Sequence, residues 1–140
     1  MTKILITGGA GFIASSLADK LRIDATNFVV CIDNFLTGKL EHLPSKKSKN
    51  YEFVTCDVND IQPLSSIMRT HQFDYVFHYA AVVGVKRTLA NPLMVLQDIE
   101  GIKNILTLCK ETNVKRFFFP LLRKFMESPL SFHKMKIQPH

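Results

Sequence analysis

The sequence predicts an α/β domain with a doubly wound parallel sheet of strand order 3-2-1-4-5. Short apolar runs typical of buried strands alternate along the chain with longer stretches of helical periodicity. This alternation implies parallel strands joined by right-handed crossover helices. The first apolar run also ends in a glycine-rich turn, which in such sheets lies at the ligand-binding edge. A length of 140 residues suits one domain, and we expect the sheet to be truncated after its fifth strand.

The first half of the chain predicts three strands and one helix. Lys3–Thr7 is apolar and ends in glycines, which predicts a buried strand. Gly11–Arg22 carries apolar residues at the spacing of one helix face. Phe28–Ile32 and Tyr51–Thr55 are predicted as the next two strands. Between them, Asn34–Asn50 is polar and contains glycine and proline, which favours a loop with room for a helical turn.

The second half predicts two helices and two strands. Ile61–His71 has apolar residues at helical spacing, and Asp74–Tyr79 contains strand-forming residues. Pro92–Thr112 is the longest predicted helix, since proline suits a first helical turn. Lys115–Phe119 is predicted as the fifth strand. Apolar residues of the long helix are expected on one stripe: Leu93, Leu96, Ile99, Ile102, Ile105, Leu106 and Cys109.

The net charge of +6 is the feature that raises the question of a nucleic-acid partner. Much of the positive charge lies in Pro120–His140, and another cluster, Lys46, Lys47 and Lys49, lies in the polar loop. Charges in such loops are usually solvated. We therefore expect no nucleic-acid partner, with a basic nucleic-acid patch as the open alternative.

Signals for a membrane or for an oxidising compartment are not expected in this chain. No apolar run is long enough to span a bilayer, and the N-terminus turns to glycine before a secretory hydrophobic region is complete. Cys31, Cys56 and Cys109 lie far apart in apolar contexts, which predicts reduced buried thiols and no metal site. We expect a cytoplasmic protein without a membrane partner.

The segment Thr7–Ala14 has the spacing of a phosphate-binding turn. Gly8 and Gly11 hold the first two glycine positions of the pattern G-x-x-G-x-x-G, and alanine stands at the third. The chain must turn sharply after the strand, and a Cβ at Gly11 would block the approach of a pyrophosphate to the backbone. The helix that follows, with Phe12 and Ile13 in its first turn, offers unpaired N–H donors and a partial positive charge. These residues are therefore predicted to bind a dinucleotide.

Asp33 supplies the second part of this pattern. It ends the second predicted strand, about twenty residues after the glycines, where an acidic residue accepts hydrogen bonds from the adenosine ribose in dinucleotide-binding folds. A carboxylate here would repel a 2′-phosphate, which favours NAD over NADP. The alternative is a structural glycine turn beside a solvated Asp33.

These motifs resemble the extended short-chain dehydrogenases/reductases, the NAD-dependent nucleotide-sugar epimerases and dehydratases with a Rossmann fold. The resemblance covers Met1 to about Phe119 and includes the segments Asp33–Gly38 and His78–Ala81. It implies further NAD contacts at Asn34, Thr37, Gly38, Asp57, Val58, Ala80 and Ala81. It implies substrate contacts at Val83, Lys86 and Arg87.

Structural explanations stay open for several of these residues. Asp57 is also typical of a turn after a strand, and His78 is also explained as a packed or hydrogen-bonded histidine. Lys86 and Arg87 fit a solvated surface equally well. Asp98 departs from the family, which usually has asparagine at that position.

The resemblance implies an activity for which this chain lacks residues. In the family, hydride passes between a sugar and NAD, with a tyrosine whose pKa is lowered by a lysine four residues on. The sequence contains Tyr51, Tyr75 and Tyr79, and lysine follows none of them at that spacing. We therefore assign no catalytic residue, and whether the chain is an enzyme stays open.

The residues after strand five do not continue the family pattern. The resemblance divides the chain into an NAD-binding domain, 1–119, and an irregular tail, 120–140. Back-translation of Pro120–Glu127 with suitable codons, read two bases later, yields Ser-Ser-Ser-Glu-Val-Tyr-Gly, which is the family's usual continuation. We therefore hypothesise a frameshifted tail, through a mutation or an error in the gene sequence. A natural basic tail is the alternative.

The favoured interpretation is the NAD-binding N-terminal portion of a nucleotide-sugar epimerase or dehydratase. Its full-length parent would oxidise a UDP- or dTDP-sugar reversibly at C4, bind that nucleotide sugar, and could form homodimers. The alternative is a non-catalytic, NAD-sensing or partner-binding Rossmann module.

Overall fold

The computed structural model describes residues 1–44, 48–81 and 85–119, apart from the side chains of Val85 and Arg87. The strands are β1 (Thr2–Thr7), β2 (Asn27–Asp33), β3 (Tyr51–Thr55), β4 (Tyr75–His78) and β5 (Arg116–Phe118). The helices are α1 (Phe12–Leu21), α2 (Ile61–His71), α3 (Val85–Ala90) and α4 (Pro92–Glu111), with a 3-10 turn at Leu40–His42. The strands are parallel and pair in the order β3-β2-β1-β4-β5, which confirms the predicted sheet.

Helices cover both faces of the sheet centre, which explains why β1 and β2 are almost continuously apolar. Leu5 packs in the cluster that includes α2 and α4, whereas Ile4 and Ile6 pack against α1. Ala14 and Ala18 of α1 are buried in that contact. Alanine in place of the third glycine of the motif is therefore small enough for α1 to lie close to β1.

The prediction that the apolar residues of the long helix lie on one stripe is wrong. Gly101, Asn104 and Leu108 of α4 are buried, together with Ile105 and Cys109. In contrast, other members of the predicted stripe are exposed: Leu93, Leu96, Ile99 and Leu106. The seven apolar residues occupy too wide an arc for one contact, and the sheet packs against the side that carries glycine and asparagine.

Two further differences lie at the ends of elements. The six-residue helix α3 was not predicted, because it is too short for a periodic pattern. The fourth and fifth strands are each slightly shorter than predicted. The tail, 120–140, lies outside the described residues. No described helix combines the length and the apolar character that a membrane crossing requires.

Candidate functional site

A crevice of about 440 Å³ lies at the carboxyl ends of the strands, where the strand order reverses between the neighbouring strands β1 and β4. Most of the predicted cofactor residues line it: Gly8, Gly11, Phe12, Ile13, Asp33, Asn34, Thr37, Asp57, Val58, Ala80 and Ala81. Gly38 lies behind the wall, where an added Cβ would come 2.8 Å from Asp33 Oδ2. Residues that the sequence did not single out also line the crevice, among them Asn59, Met94 and Gln97.

The turn after β1 is held in shape by its protein neighbours. Gly8 has a φ of +69°, and a Cβ there would lie 2.8 Å from the backbone N of Ala80 and from the backbone C of Tyr79. A side chain at Gly9 would collide with Cys31, at 2.5 Å between the Cβ atoms. These two glycines are thus required by the fold itself.

The N-terminus of α1 opens into the crevice. Its N-cap residue is Gly11, with φ −75° and ψ 159°, and the first turn contains no acidic residue. Among the described residues, no side chain therefore caps this end of the helix, and its first N–H groups are available to an anion. Phe12 and Ile13 of the same turn line the crevice and are 76% and 53% exposed.

Asp33 is a buried carboxylate at the end of β2. It is 7% exposed, which contradicts the alternative of a solvated residue. Oδ2 accepts the N–H of Ala10 at 2.9 Å, and Oδ1 accepts the N–H of Phe35 at 2.7 Å. A carboxylate offers about four lone-pair positions, so beyond these two hydrogen bonds Asp33 can accept further donors.

The far wall joins the end of β3 to α4. Asn34 Nδ2 donates to Asp57 Oδ2 at 3.3 Å, while Asp57 Oδ1 accepts the N–H of Asn59 at 2.9 Å. Asp57 is therefore both a turn residue and a crevice residue. From α4, Asn104 Nδ2 donates to the carbonyl oxygens of Val58 and Asn59, at 3.0 and 3.2 Å. Helix α4 therefore anchors this wall, although sequence periodicity did not predict which side of α4 is buried.

His78 is a packed histidine rather than a crevice residue. Its Nδ1 lies 2.8 Å from Thr7 Oγ1, which also accepts the N–H of Ala80 at 3.1 Å. The ring stacks on Phe117 and Phe119. Burial lowers the pKa of His78 to about 4, so the ring is neutral near pH 7. It acts on the site indirectly, by fixing Thr7 and through it the backbone of Ala80.

The predicted substrate residues are less informative. Lys86 is exposed on α3 and is not among the described residues that line the crevice. Val83 and the side chain of Arg87 lie outside the described part of the structure. Within the described ranges, no group of three or more His, Cys, Asp or Glu side chains could hold a metal ion.

Comparisons with known proteins agree with this geometry. The model of the NAD dependent epimerase/dehydratase family matches residues 4–121. UDP-glucose 4-epimerase of Mycolicibacterium smegmatis is 37% identical over 91 residues, which cover 64% of this chain and 28% of that protein.

Two solved structures show the likeness in three dimensions. UDP-glucose 4-epimerase of Thermotoga maritima with UDP-glucose has a TM-score of 0.76 and 34% identity, and the match covers 84% of this chain and 37% of that one. UDP-glucose 4-epimerase of Thermus thermophilus in complex with NAD has a TM-score of 0.73 and 30% identity, over 83% of this chain and 36% of that one. This chain thus spans about a third of the length of these proteins. With a family model that matches most of its residues, the chain belongs to the NAD-dependent epimerase/dehydratase family.

Proposed function

We propose that this chain binds NAD in the crevice and is the NAD-binding N-terminal portion of a nucleotide-sugar epimerase or dehydratase. The observation that carries the proposal is the uncapped N-terminus of α1, which opens into the crevice beside the buried carboxylate of Asp33. A diphosphate suits the helix end, and ribose hydroxyls suit the carboxylate.

The residues present fit NAD in three places. At Gly11, the nearest atom to an added Cβ is Gly8 O at 3.1 Å, so on its other sides the space next to this backbone is open to a phosphate. Asp33 keeps acceptor positions free for a ribose, and a 2′-phosphate there would meet a buried negative charge. We propose that Asp57 and Val58, which line the far wall of the crevice, contact the adenine. When bound, NAD supplies the hydride acceptor.

The proposed reaction of the full-length parent is reversible oxidation of a UDP- or dTDP-sugar at C4. Support comes from the family and from the relatives named above, one of which was solved with UDP-glucose. We propose that this chain alone binds NAD without turnover, since no tyrosine in it is followed four residues later by lysine.

We also propose that the parent forms a homodimer through the outer face of α4. Leu93, Leu96 and Ile99 are more than half exposed on that face, and such apolar helix faces favour association. Sedimentation velocity of the full-length parent should show a dimer that the double substitution Leu96→Lys and Ile99→Lys removes. Equal sedimentation of both proteins at high concentration would contradict the proposed face.

Isothermal titration calorimetry tests the NAD proposal. The wild type should bind NAD more tightly than NADP. Asp33→Ala should weaken the affinity for NAD by at least about tenfold, because charged hydrogen bonds contribute about 1.5–3 kcal/mol. Asp19→Ala is the matched control, since Asp19 is an exposed aspartate on α1 that pairs with Arg22. Addition of UDP-glucose to the NAD complex should produce no NADH. Affinity for DNA without any heat from NAD would overturn the proposal.

A further inference from the structure

The loop after β2 reaches back to the glycine turn and holds the carbonyl of Ala10. That carbonyl oxygen accepts two hydrogen bonds, from the N–H of Lys39 at 3.1 Å and from His42 Nδ1 at 2.9 Å. The N–H of the same residue donates to Asp33. Ala10, in the middle of the turn between Gly8 and Gly11, is thus held on both its N–H and its carbonyl side.

The chemistry of this contact determines which ring nitrogen of His42 carries a proton. A carbonyl oxygen can only accept a hydrogen bond, so Nδ1 of His42 must be the donor. The 3-10 turn places the ring, because the N–H of His42 donates to the carbonyl of Lys39 at 3.0 Å. The same backbone turn therefore presents both donors to Ala10.

The ring of His42 also touches the start of α1. Its edge packs against Phe12, with ring centroids 6.1 Å apart and an interplanar angle of 74°. Phe12 lines the crevice at the first turn of the helix. His42 therefore contacts the phosphate-binding turn at two points, one polar and one aromatic.

We propose that His42 is a positioning residue for NAD, which holds the glycine turn in the conformation that presents the N-terminus of α1 to the diphosphate. The proposal deepens the proposed function and rests on it. His42 acts through Ala10 and is not placed in contact with the cofactor. Without its donor, the Ala10 carbonyl keeps only the bond from Lys39 within the described part of the chain, and the turn samples other conformations. The affinity then falls in proportion to the population of the competent conformation.

Three substitutions separate the hydrogen bond from the ring contact. His42→Asn places an amide nitrogen at the same number of bonds from the backbone as Nδ1, so it keeps the donor and loses the ring. His42→Phe keeps the ring and loses the donor, and His42→Ala loses both. Leu40→Ala, at an exposed position of the same turn, is the control.

In calorimetry on the full chain, the affinity for NAD should depend on whether residue 42 keeps a hydrogen-bond donor for the Ala10 carbonyl. We expect His42→Asn and Leu40→Ala to lie within about twofold of the wild type, and His42→Phe and His42→Ala to bind about fivefold more weakly, the loss that one hydrogen bond of about 1 kcal/mol implies. Wild-type affinity in His42→Phe would overturn the proposal. A loss in His42→Asn as large as in His42→Ala would also overturn it.

The histidine ring itself provides a test that needs no variant and no cofactor. Long-range ¹H–¹⁵N spectra of the free protein should show the tautomer of His42 that carries its proton at Nδ1. A neutral ring protonated at Nε2 would overturn the proposal even if the variants fail to fold. A wild type that binds no NAD would overturn the proposed function, whereas equal NAD binding by wild type and His42→Ala would overturn only the role of His42.

Discussion

Gly8 and Gly11 lie in one turn, yet they meet different physical constraints. Gly8 has a positive φ and backbone neighbours within 3 Å of an added Cβ. Gly11 has φ −75°, which any residue adopts, and its nearest neighbour would be Gly8 O at 3.1 Å. The fold therefore requires glycine at position 8, whereas at position 11 the proposed ligand requires it.

Alanine substitutions should separate these two requirements. Gly8→Ala should lower the free energy of unfolding by about 2–4 kcal/mol, through left-handed strain and backbone collision. Gly11→Ala should change it by less than about 1 kcal/mol, but should abolish NAD binding because the Cβ occupies the phosphate position. Urea unfolding and calorimetry measure the two effects. Strong NAD binding by Gly11→Ala would contradict the placement of the diphosphate.

His78 should make the stability of the protein depend on pH. Burial lowers the pKa of His78 from 6.5 to about 4, so the unfolded chain binds more protons between these values. Its contribution is therefore complete above about pH 6.5 and is lost as the pH falls towards 4, by up to about 3 kcal/mol. In His78→Asn, which cannot titrate, the free energy of unfolding should fall less steeply across this range. Equal slopes in both proteins would show that His78 is accessible to protons in the fold.

For single residues, the sequence predicted which ones lie near the crevice better than it predicted their contacts. The motif indicated the glycines and Asp33 correctly as crevice neighbours, because turn and strand-end positions are encoded locally. It did not indicate that Asp33 binds the N–H of Ala10, or that His42 binds its carbonyl. Both bonds join residues far apart in the chain, and no local pattern carries such information.

Among the elements, α4 connects the site to the hydrophobic core. Gly101 lies close to the turn that follows β3, and a Cβ added to Gly101 would be 2.7 Å from Val58 Cγ2. Next to it, Asn104 is buried and donates to two backbone carbonyls of that turn. The helix thus fixes the wall on which Asp57 and Val58 lie.

Loss of this anchor should affect both stability and binding. Asn104→Ala should lower the free energy of unfolding by about 1–3 kcal/mol, because the buried carbonyl oxygen of Val58 and the part-buried one of Asn59 lose a donor. The same substitution should also weaken the affinity for NAD, since the far wall of the crevice is no longer fixed. Thr107→Ala is the control on the exposed side of the same helix, where the hydroxyl donates to the carbonyl oxygen of Lys103 within α4. Denaturant unfolding and calorimetry provide both measurements, and equal stability of the two variants would contradict the anchoring role.

At the scale of the whole molecule, the sheet ends on one side in the short apolar strand β5. Phe118 and Phe119 are partly exposed in the described structure, while Phe117 packs against the core. Phe118 stacks on Phe77 at 4.5 Å between ring centroids. Aromatic contacts therefore hold this short strand against β4.

The hypothesis of a shifted frame after Phe119 makes a prediction about the gene. The family model matches as far as residue 121, which is compatible with a frame change near strand five. Genomic and transcript sequences should show one gained or lost base near the Phe119 codon, relative to a frame that encodes Ser-Ser-Ser-Glu-Val-Tyr-Gly. The restored protein should convert nucleotide sugars with NAD. A single intact frame in both sequences would reject the hypothesis.

By itself, the sequence determined the order of the strands, the glycine turn and most of the crevice residues. The strand order follows from the alternation of strands and helices in a doubly wound fold, and the glycine turn follows from the few residue types that a sharp turn accepts. The resemblance to the family implied most of the crevice residues. Only the tertiary structure decided which face of α4 is buried, that Asp33 and His42 both hold Ala10, and that His78 packs among phenylalanines. The physical reason is that burial and hydrogen bonding between distant segments depend on how the helices lie on the sheet, and the spacing of residues along the chain carries no record of that.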